Sequence, residues 1–471
     1  MRQVGLLTFC ASLIGYASVP NVERFLKRKA ASVVWPRIFG ERGPLSIRRS
    51  RAVLRQAGLS DQDASAIQRH LVIEQEVAET PLVAGNRARF VRDGEDTFRA
   101  MFAAVGAAKH HVNLEYYILE DVESDGERLS DLLIAKAREG VRVNVIYDSF
   151  GSVGTPDEFF TKLKDAGIAV LAFNPVNPLK AKDGYGPNDR DHRKILVADG
   201  RIGIIGGINL SKTYMSSGPG RAARSGGGGG EAVEKGDDKQ KVYWRDVDLV
   251  IEGPVVSQLQ DAFVAQWQSH KGDPLDTTGF YPAIAPIAGG EVMRVIGSTP
   301  SHHVPRYYVT LLSAIRNADK NIYVMAAYFV PTRAEKRALI RAAKRGVDVR
   351  LLLPGRSDSK MVIAAQRSHY GAFFRAGVKI HEAKDYILHT KMVSIDGVWT
   401  IIGSSNLDHR SIIYNDEIDA VVLGKTTASE MERMFGEDSA QAAPVDPQAW
   451  RRRPWTERLT EAFARFWEHL L

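Results

Sequence analysis

Hydrophobic and polar positions along the chain fall into two series of the same order. In the first, a helical stretch leads through Ala107-Ala108-Lys109-His110-His111 into the apolar run Val112-Asn113-Leu114-Glu115-Tyr116-Tyr117-Ile118. In the second, Ala318-Asp319-Lys320-Asn321 leads into Ile322-Tyr323-Val324-Met325-Ala326-Ala327-Tyr328-Phe329. Gly140-Val141-Arg142-Val143-Asn144-Val145-Ile146-Tyr147 has its counterpart in Gly346-Val347-Asp348-Val349-Arg350-Leu351-Leu352-Leu353. A third pair of apolar runs, Ile202 to Ile205 and Val398 to Ile402, each follows an Asp-Gly turn. Short apolar runs set between helical stretches predict strands in an α/β layer. Each series reads strand, helix, strand, helix and then a hairpin, so each predicts a mixed β-sheet flanked by helices. Two such halves are expected to pack about a pseudo-two-fold, with whatever they share at the seam. The join is expected between Ser269 and Gly290, where Gly272, Pro274, Gly279, Pro282 and Pro286 break any regular element.

The two ends depart from this scheme. Val4 to Val19 is apolar behind Arg2, yet at sixteen residues it is short of the roughly 20 that span a bilayer. It also fits a signal peptide cut near Ala17. The basic residues that follow (Arg24, Lys27, Arg28, Lys29, Arg37, Arg42, Arg48, Arg49, Arg51 and Arg55) favour a cytoplasmic side, so a membrane-associating N-terminal segment is expected. At the C-terminus Leu459, Phe463, Phe466, Trp467, Leu470 and Leu471 lie on one helical stripe behind Trp450, Arg451, Arg452 and Arg453. That pattern suits an anionic membrane interface, or else a helix docked on the core. Cys10 is the one cysteine among 471 residues, which excludes an intrachain disulfide. Hydrophobic and charged contents of 44% and 25% place the chain among folded globular proteins rather than disordered ones. The net charge of +7 fits an anionic membrane surface and nucleic acid equally.

Chemistry enters at the hairpins. His192, Lys194, Asp199, Gly206 and Asn209 recur as His389, Lys391, Asp396, Gly403 and Asn406, with offsets of 2, 7, 14 and 17 from the histidine in both. A lone His-x-Lys on a strand is more often a surface pair, but the duplication points to a site. His and Lys two apart share a strand face. Near neutral pH histidine serves as nucleophile, base or acid, while lysine and asparagine offer donors to an anion. Two sets facing each other make a site for a phosphodiester, one histidine on each side of the phosphorus. In-line displacement needs that placement. No metal or other cofactor is required, because two lysines and two asparagines can balance the phosphoryl charge.

This duplicated pattern resembles the phospholipase D superfamily over roughly residues 80 to 425. The resemblance implies a phosphohistidine on His192, acid and base chemistry by His389, and phosphate binding by Lys194, Lys391, Asn209 and Asn406. Asp199 and Asp396 match the aspartates of the catalytic motif, in a structural or network role. A carboxylate about thirty residues beyond the second histidine is also implied, and Glu417 lies 28 beyond it (417 − 389). Aligning Gly253 with Gly424 places Asp246 opposite Glu417, 54 beyond His192 (246 − 192). These two acids are expected to orient the imidazoles, with Asp248 and Asp416 as neighbouring alternatives. The excess of 26 positions is about the length of the Ser-, Gly- and charge-rich stretch Ser216 to Lys241, read as a flexible insertion at about 216–241. His302 and His303 read as loop residues, and His110 and His111 as packing or capping ones.

Within the superfamily the chain looks most like the bacterial cardiolipin synthases. The carriers are Gly85-Asn86, Asn113 to Ile118, Asp148-Ser149-Phe150-Gly151-Ser152, Trp244 to Pro254, Tyr328-Phe329-Val330-Pro331, Ser405-Asn406-Leu407-Asp408-His409-Arg410-Ser411 and the basic, aromatic C-terminal tail. The Gly-rich insertion and the absence of two clear membrane spans depart from that family. The likeness implies phosphatidyl transfer from an anionic phospholipid, phosphatidylglycerol, with a membrane surface as partner and no nucleic acid. Hydrolysis to phosphatidic acid and nucleic-acid phosphodiester cleavage are the alternatives. Residues 1–80 would then be the membrane-associating basic segment, 81–270 and 290–430 the phospholipase D-like repeats, 271–289 the linker and 431–471 the tail. The setting implied is the bacterial inner membrane, with the core facing the cytoplasm.

Overall fold

A computed structural model of the chain describes residues 19–22, 26, 36–41, 43–59, 64–176, 186, 188–215, 243–357 and 359–467. Helices α1 (Ile47–Gln56) and α2 (Ala64–Ala78) come first. The first repeat follows with β1 (Leu82–Arg92), α3 (Asp93–Ala107), β2 (His111–Tyr116), α4 (Leu129–Arg138), β3 (Arg142–Asp148), α5 (Asp157–Asp165) and β4 (Ala169–Phe173). It continues through β5 (Arg190–Asp191), β6 (Lys194–Ala198), β7 (Ile202–Gly206), β8 (Tyr243–Arg245), β9 (Val247–Glu252) and α6 (Val256–Ser269). The second repeat runs β10 (Glu291–Ser298), α7 (Arg306–Asn317), β11 (Asn321–Met325), α8 (Arg333–Lys344), β12 (Asp348–Pro354), α9 (Lys360–Ser368) and β13 (Lys379–Ala383). Then come β14 (Tyr386–Leu388), β15 (Met392–Ile395), β16 (Trp399–Gly403), β17 (Asn415–Leu423), α10 (Lys425–Gln441) and α11 (Trp455–Phe466).

The two halves have one topology. Neighbours in the first sheet are β1-β9-β7-β6-β2-β3-β4, antiparallel up to β2 and parallel beyond it. The second sheet reads β10-β17-β16-β15-β11-β12-β13 with the same sense at each step. The mixed sheets and the expected strands are thus present in both repeats. Each sheet buries apolar residues on both faces. One core gathers Phe98, Met101, Leu114 and Leu133 under the first repeat. Another gathers Leu312, Leu339, Leu351 and Trp399 under the second. Between them Ile195, Val197, Leu249 and Ile251 pack with Met293, Val295, Ile402 and Val422.

Among the described residues three strand pairings cross the seam. β1 and β10 pair antiparallel at Val83 and Met293. β5 pairs with the start of β17, and β8 with β14, both parallel. In the two parallel contacts, β5 leads into His192, β8 into Asp246 and β14 into His389, and β17 holds Glu417.

The hairpin turns carry out the role expected of Asp-Gly. Asp199 and Gly200 have φ of 52° and 61°, and Asp396 and Gly397 have 57° and 67°. Two successive positive φ values make the tight turn that matches strand twist, and Asp and Gly tolerate them.

The ends differ from the sequence reading. α2 packs on the second repeat. Leu71 and Val77 enter the core of the second repeat. Glu74 is fully buried, ion-paired to Arg294 at 2.9 Å and accepting from Trp399 Nε1 at 3.0 Å. The boundary drawn at residue 80 therefore falls inside the folded body, and α10 runs across the one drawn at 430. The apolar stretch from Val4 to Ser18, Cys10 with it, and the insertion at about 216–241 lie outside the described residues. Among the described residues no helix is long and apolar enough to cross a membrane.

Candidate active site

Both motif histidines sit where a crossing strand ends. His192 N–H donates to Asp416 O (2.9 Å) and His389 N–H to Arg245 O (2.8 Å), so each histidine is pinned by the opposite repeat. Their side chains do the same. His192 Nδ1 lies 3.0 Å from Glu417 Oε2, and His389 Nδ1 lies 2.6 Å from Asp246 Oδ2. Spacing along the chain associates each acid with the histidine of its own repeat; the fold pairs them across the seam instead. The cause is the exchange of β5 and β8, which carry the partner strands to β17 and β14. Asp248 and Asp416, the neighbouring alternatives, touch neither ring: Asp248 accepts from Ile208 N–H and Asp416 from Gln266 Nε2. With Nδ1 facing a carboxylate, Nε2 is the ring nitrogen left for chemistry.

The carboxylates lie close under the glycines of the motif. A Cβ on Gly206 would stand 2.1 Å from Asp248 Oδ1, and one on Gly207 2.5 Å from Asp246 Oδ1. On Gly403 it would meet Ile418 O at 2.2 Å. Glycine is needed there because the acid-bearing strand leaves no space for a side chain.

Lys194 and Lys391 are buried and alike: each Nζ donates to the carbonyl of its own motif histidine at 2.5 Å. Burial lowers Lys194 to about 7, with Lys391 adding to the fall and Glu417 opposing it. Burial lowers Lys391 as well, against the pull of Asp246 and Glu417. His192 is held well below its ordinary value by burial, then by Lys194, Lys391 and His389. His389 is lowered by burial and Lys391, while Asp246 raises it. Each imidazole therefore feels the lysine of the other repeat, which puts the two motifs in one electrostatic site. Glu417 is raised to about 7 by burial and steadied by Lys194, Ser404, Asn415 and Ser411.

Asn209 and Asn406 are buried beside the glycines. Asn209 Oδ1 accepts from Ile118 N–H (3.2 Å), whereas Asn406 Oδ1 is buried without a hydrogen-bond partner among the described residues. Asp199 and Asp396 stand elsewhere. Asp199 accepts from the backbone N–H groups of Lys109, His110 and His111, and Asp396 from those of Asp319, Lys320 and Asn321. Both lie at the far end of the motif strand, about 15 Å from the lysine by strand rise. Their contacts tie the hairpin to the strand before it, which fits the structural role and not a chemical one.

His111 packs, stacked on Phe280 at 4.2 Å. His302 lines a cavity of about 540 Å³ with Arg193, Asp416 and Arg306. Tyr117, Trp244 and Tyr328 lie in segments that carry the family resemblance, but their place around the imidazoles was not predicted. Tyr214, Trp244 and Tyr328 stand around His389, with ring centroids 5.8, 5.2 and 6.3 Å away. Tyr117 stands 5.2 Å from His192. The one signal for Tyr214 is its offset of five from Asn209 (214 − 209), which matches that of Ser411 from Asn406 (411 − 406).

Two imidazole–carboxylate pairs, each formed across the seam, with two lysines and two amides, can bind an anion and pass one proton at each side of it. Known proteins agree with this architecture. A family model described as "Cardiolipin synthase, PLD-like domain" matches residues 101–218 and 311–439, one stretch in each repeat. The cardiolipin synthase of Geobacillus sp. (strain WCH70) is 32% identical over 402 residues, 85% of this chain and 76% of that protein. Cardiolipin synthase A of Pseudomonas aeruginosa (strain LESB58) is 32% identical over 371 residues, covering 78% and 70%. Among solved structures, a phosphatidylserine synthase from Haemophilus influenzae Rd KW20 superposes with a TM-score of 0.60 at 12% identity, covering 87% of this chain and all of that one, and so shares the fold. On the matched repeats and the relatives spanning most of its length, the chain belongs to the cardiolipin synthase family of phospholipase D-like proteins.

Proposed function

We propose that the chain transfers a phosphatidyl group between two phosphatidylglycerol molecules, giving cardiolipin and glycerol. The observation that carries this reading is the pair of imidazole–carboxylate contacts exchanged across the seam, in a chain of this family. His192 Nε2 attacks the phosphorus, and the bond to the glycerol oxygen breaks as His389 supplies that oxygen with a proton. The terminal hydroxyl of the second phosphatidylglycerol then gives its proton to His389 and attacks the phosphohistidine. The P–N bond breaks, and His192 is restored. Lys194, Lys391, Asn209 and Asn406 hold the phosphoryl oxygens. One phosphodiester replaces another, so no nucleotide is consumed.

The low His192 pKa supports a neutral nucleophile near pH 7. Lipid access is supported by α11. Its Ala464 is buried among Val330, Val362 and Ala365, with Tyr328 packed against them, and the same Tyr328 stands edge-on to His389. The opposite stripe is open: Trp455, Leu459, Phe463 and Trp467 are 70%, 59%, 60% and 37% exposed. Arg451 and Arg452 lie exposed just before it. An anionic bilayer complements such a stripe, and the inner membrane of a bacterium, on its cytoplasmic side, is the setting proposed.

The test is product analysis with purified protein and phosphatidylglycerol vesicles. Cardiolipin plus glycerol is expected; phosphatidic acid alone would mean hydrolysis, and degradation of DNA or RNA with no lipid product would overturn the reading. In the same assay Leu459→Glu with Phe463→Glu should lower turnover on vesicles far more than on detergent-dispersed lipid. Equal losses would make the stripe structural.

A further inference from the structure

The two imidazole–carboxylate pairs differ in one contact that the motifs do not announce. Tyr214 Oη lies 3.1 Å from His389 Nδ1, on the opposite repeat, and accepts from Asn209 Nδ2 at 3.3 Å. At the matching position Ser411 donates instead to the carboxylate, Glu417 Oε1, at 2.8 Å. No tyrosine contact of this kind reaches Nδ1 of His192 among the described residues. Tyr214 is fully buried and its phenol keeps its proton, since burial and Asp246 push its pKa well above the ordinary value. Its backbone is fixed by the first turn of α3, where a Cβ on Gly94 would fall 2.1 Å from Tyr214 O.

We infer that Tyr214 is a positioning residue: its hydroxyl couples the amide of Asn209 to the imidazole of His389, holding the ring with Nδ1–H inward and Nε2 toward the phosphorus. This rests on the reading of His389 as acid and base. Asp246 Oδ2 and Tyr214 Oη are two oxygens beside one N–H, so both favour the Nδ1–H tautomer and the protonated ring over the unprotonated one. The other groups that act on His389 are Lys391, whose Nζ lies 3.0 Å from Nδ1 and 3.2 Å from Nε2, and Lys194; both oppose the proton. His192 faces it from the first repeat, and Trp244 and Tyr328 close its sides. A phosphoryl group drawn to Asn209 would pull on the amide that donates to Tyr214, so binding and the proton of His389 are linked through one hydroxyl.

Tyr214→Phe keeps the ring packing and removes the link. Expected is a kcat about tenfold lower, the loss of a hydrogen bond to a charged group, with KM changed less than about threefold. His389 would hold its proton less well, so the alkaline limb of kcat, where bound phosphodiester keeps Lys194 charged, should move down by about half a unit to one unit. A second readout needs no turnover: 15N-histidine NMR of the full chain in micelles, with His389 assigned from His389→Ala, should show the same downward shift. An unchanged pH profile together with an unchanged His389 titration would overturn the inference. Absence of cardiolipin from the unsubstituted protein would instead overturn the substrate reading, and the NMR titration would still decide the role of Tyr214.

Discussion

The two halves of the site share a backbone and differ in what surrounds their acids. Glu417 is held by Ser404 at 2.5 Å, Ser411 at 2.8 Å and Asn415 at 3.1 Å as well as by His192. Asp246 has a backbone N–H, that of Val247 at 2.8 Å, and the shorter bond to His389. A carboxylate spread over several donors steadies a neutral imidazole. One concentrated on a single imidazole suits a ring that gains and loses a proton. Both repeats supply the same scaffold, and the proposed division of roles rests on the side chains that surround the two acids.

The largest effects should come from the histidines. His192→Ala and His389→Ala should each cut cardiolipin formation by about 10⁴-fold or more. A phosphatidyl ester of p-nitrophenol, whose leaving group needs no proton, should separate them. His389→Ala is expected to keep a burst of p-nitrophenol in stopped flow, whereas His192→Ala is expected to give none. A burst in both, or in neither, would break the division of roles.

Next come the acids. Glu417→Gln and Asp246→Asn should each lose roughly 10²- to 10⁴-fold with phosphatidylglycerol, since an amide no longer fixes the tautomer. With the p-nitrophenyl ester the Asp246 variant should recover its burst rate and the Glu417 variant should not. The cross-seam pairing predicts this assignment; pairing within each repeat predicts the reverse.

Lys194 sharpens the comparison through pH. A lysine lowered to about 7 is charged below that pH and neutral above it. In the free enzyme kcat/KM should therefore fall as pH rises through about 7. A bound phosphodiester favours the charged form, so the matching limb of kcat should lie at higher pH. Lys194→Arg should move the kcat/KM limb upward, and an unmoved limb would assign it to another group.

The smallest effect on catalysis is expected at the turns. Asp199→Ala and Asp396→Ala each remove three backbone acceptances, at a cost of roughly 2–4 kcal/mol of stability by denaturant unfolding, with kcat per folded molecule nearly unchanged. A loss of kcat without loss of stability would return these aspartates to the chemistry.

How much of this was legible in the sequence follows from the range of the interactions. The hairpins were, because His-x-Lys, Asp-Gly and the following glycine obey local rules of strand period and turn geometry. The exchanged pairs were not: His192 and Glu417 lie 225 positions apart, and the pairing of β5 with β17 brings them together. Helix α2 carries no membrane or repeat signature, so its place beneath Trp399 depends on the buried Glu74–Arg294 pair, which spacing does not reveal. Tyr214 sits in the polar run Ser211-Lys212-Thr213, where no periodicity marks an inward residue. The C-terminal stripe was visible as a pattern; α11 docks through Ala464 while Trp455, Leu459 and Phe463 stay exposed, and Leu470 and Leu471 lie outside the described residues.

Rapid-quench labelling bears most directly on the claim that the halves act on one phosphorus. Phosphatidylglycerol carrying radioactive phosphorus would be mixed with enzyme, quenched at alkaline pH, where phosphohistidine survives, and the protein digested and mapped. Label on the peptide that holds His192, absent from His192→Ala, is the predicted result. Label on the His389 peptide, or none bound to protein while cardiolipin forms, would contradict the account.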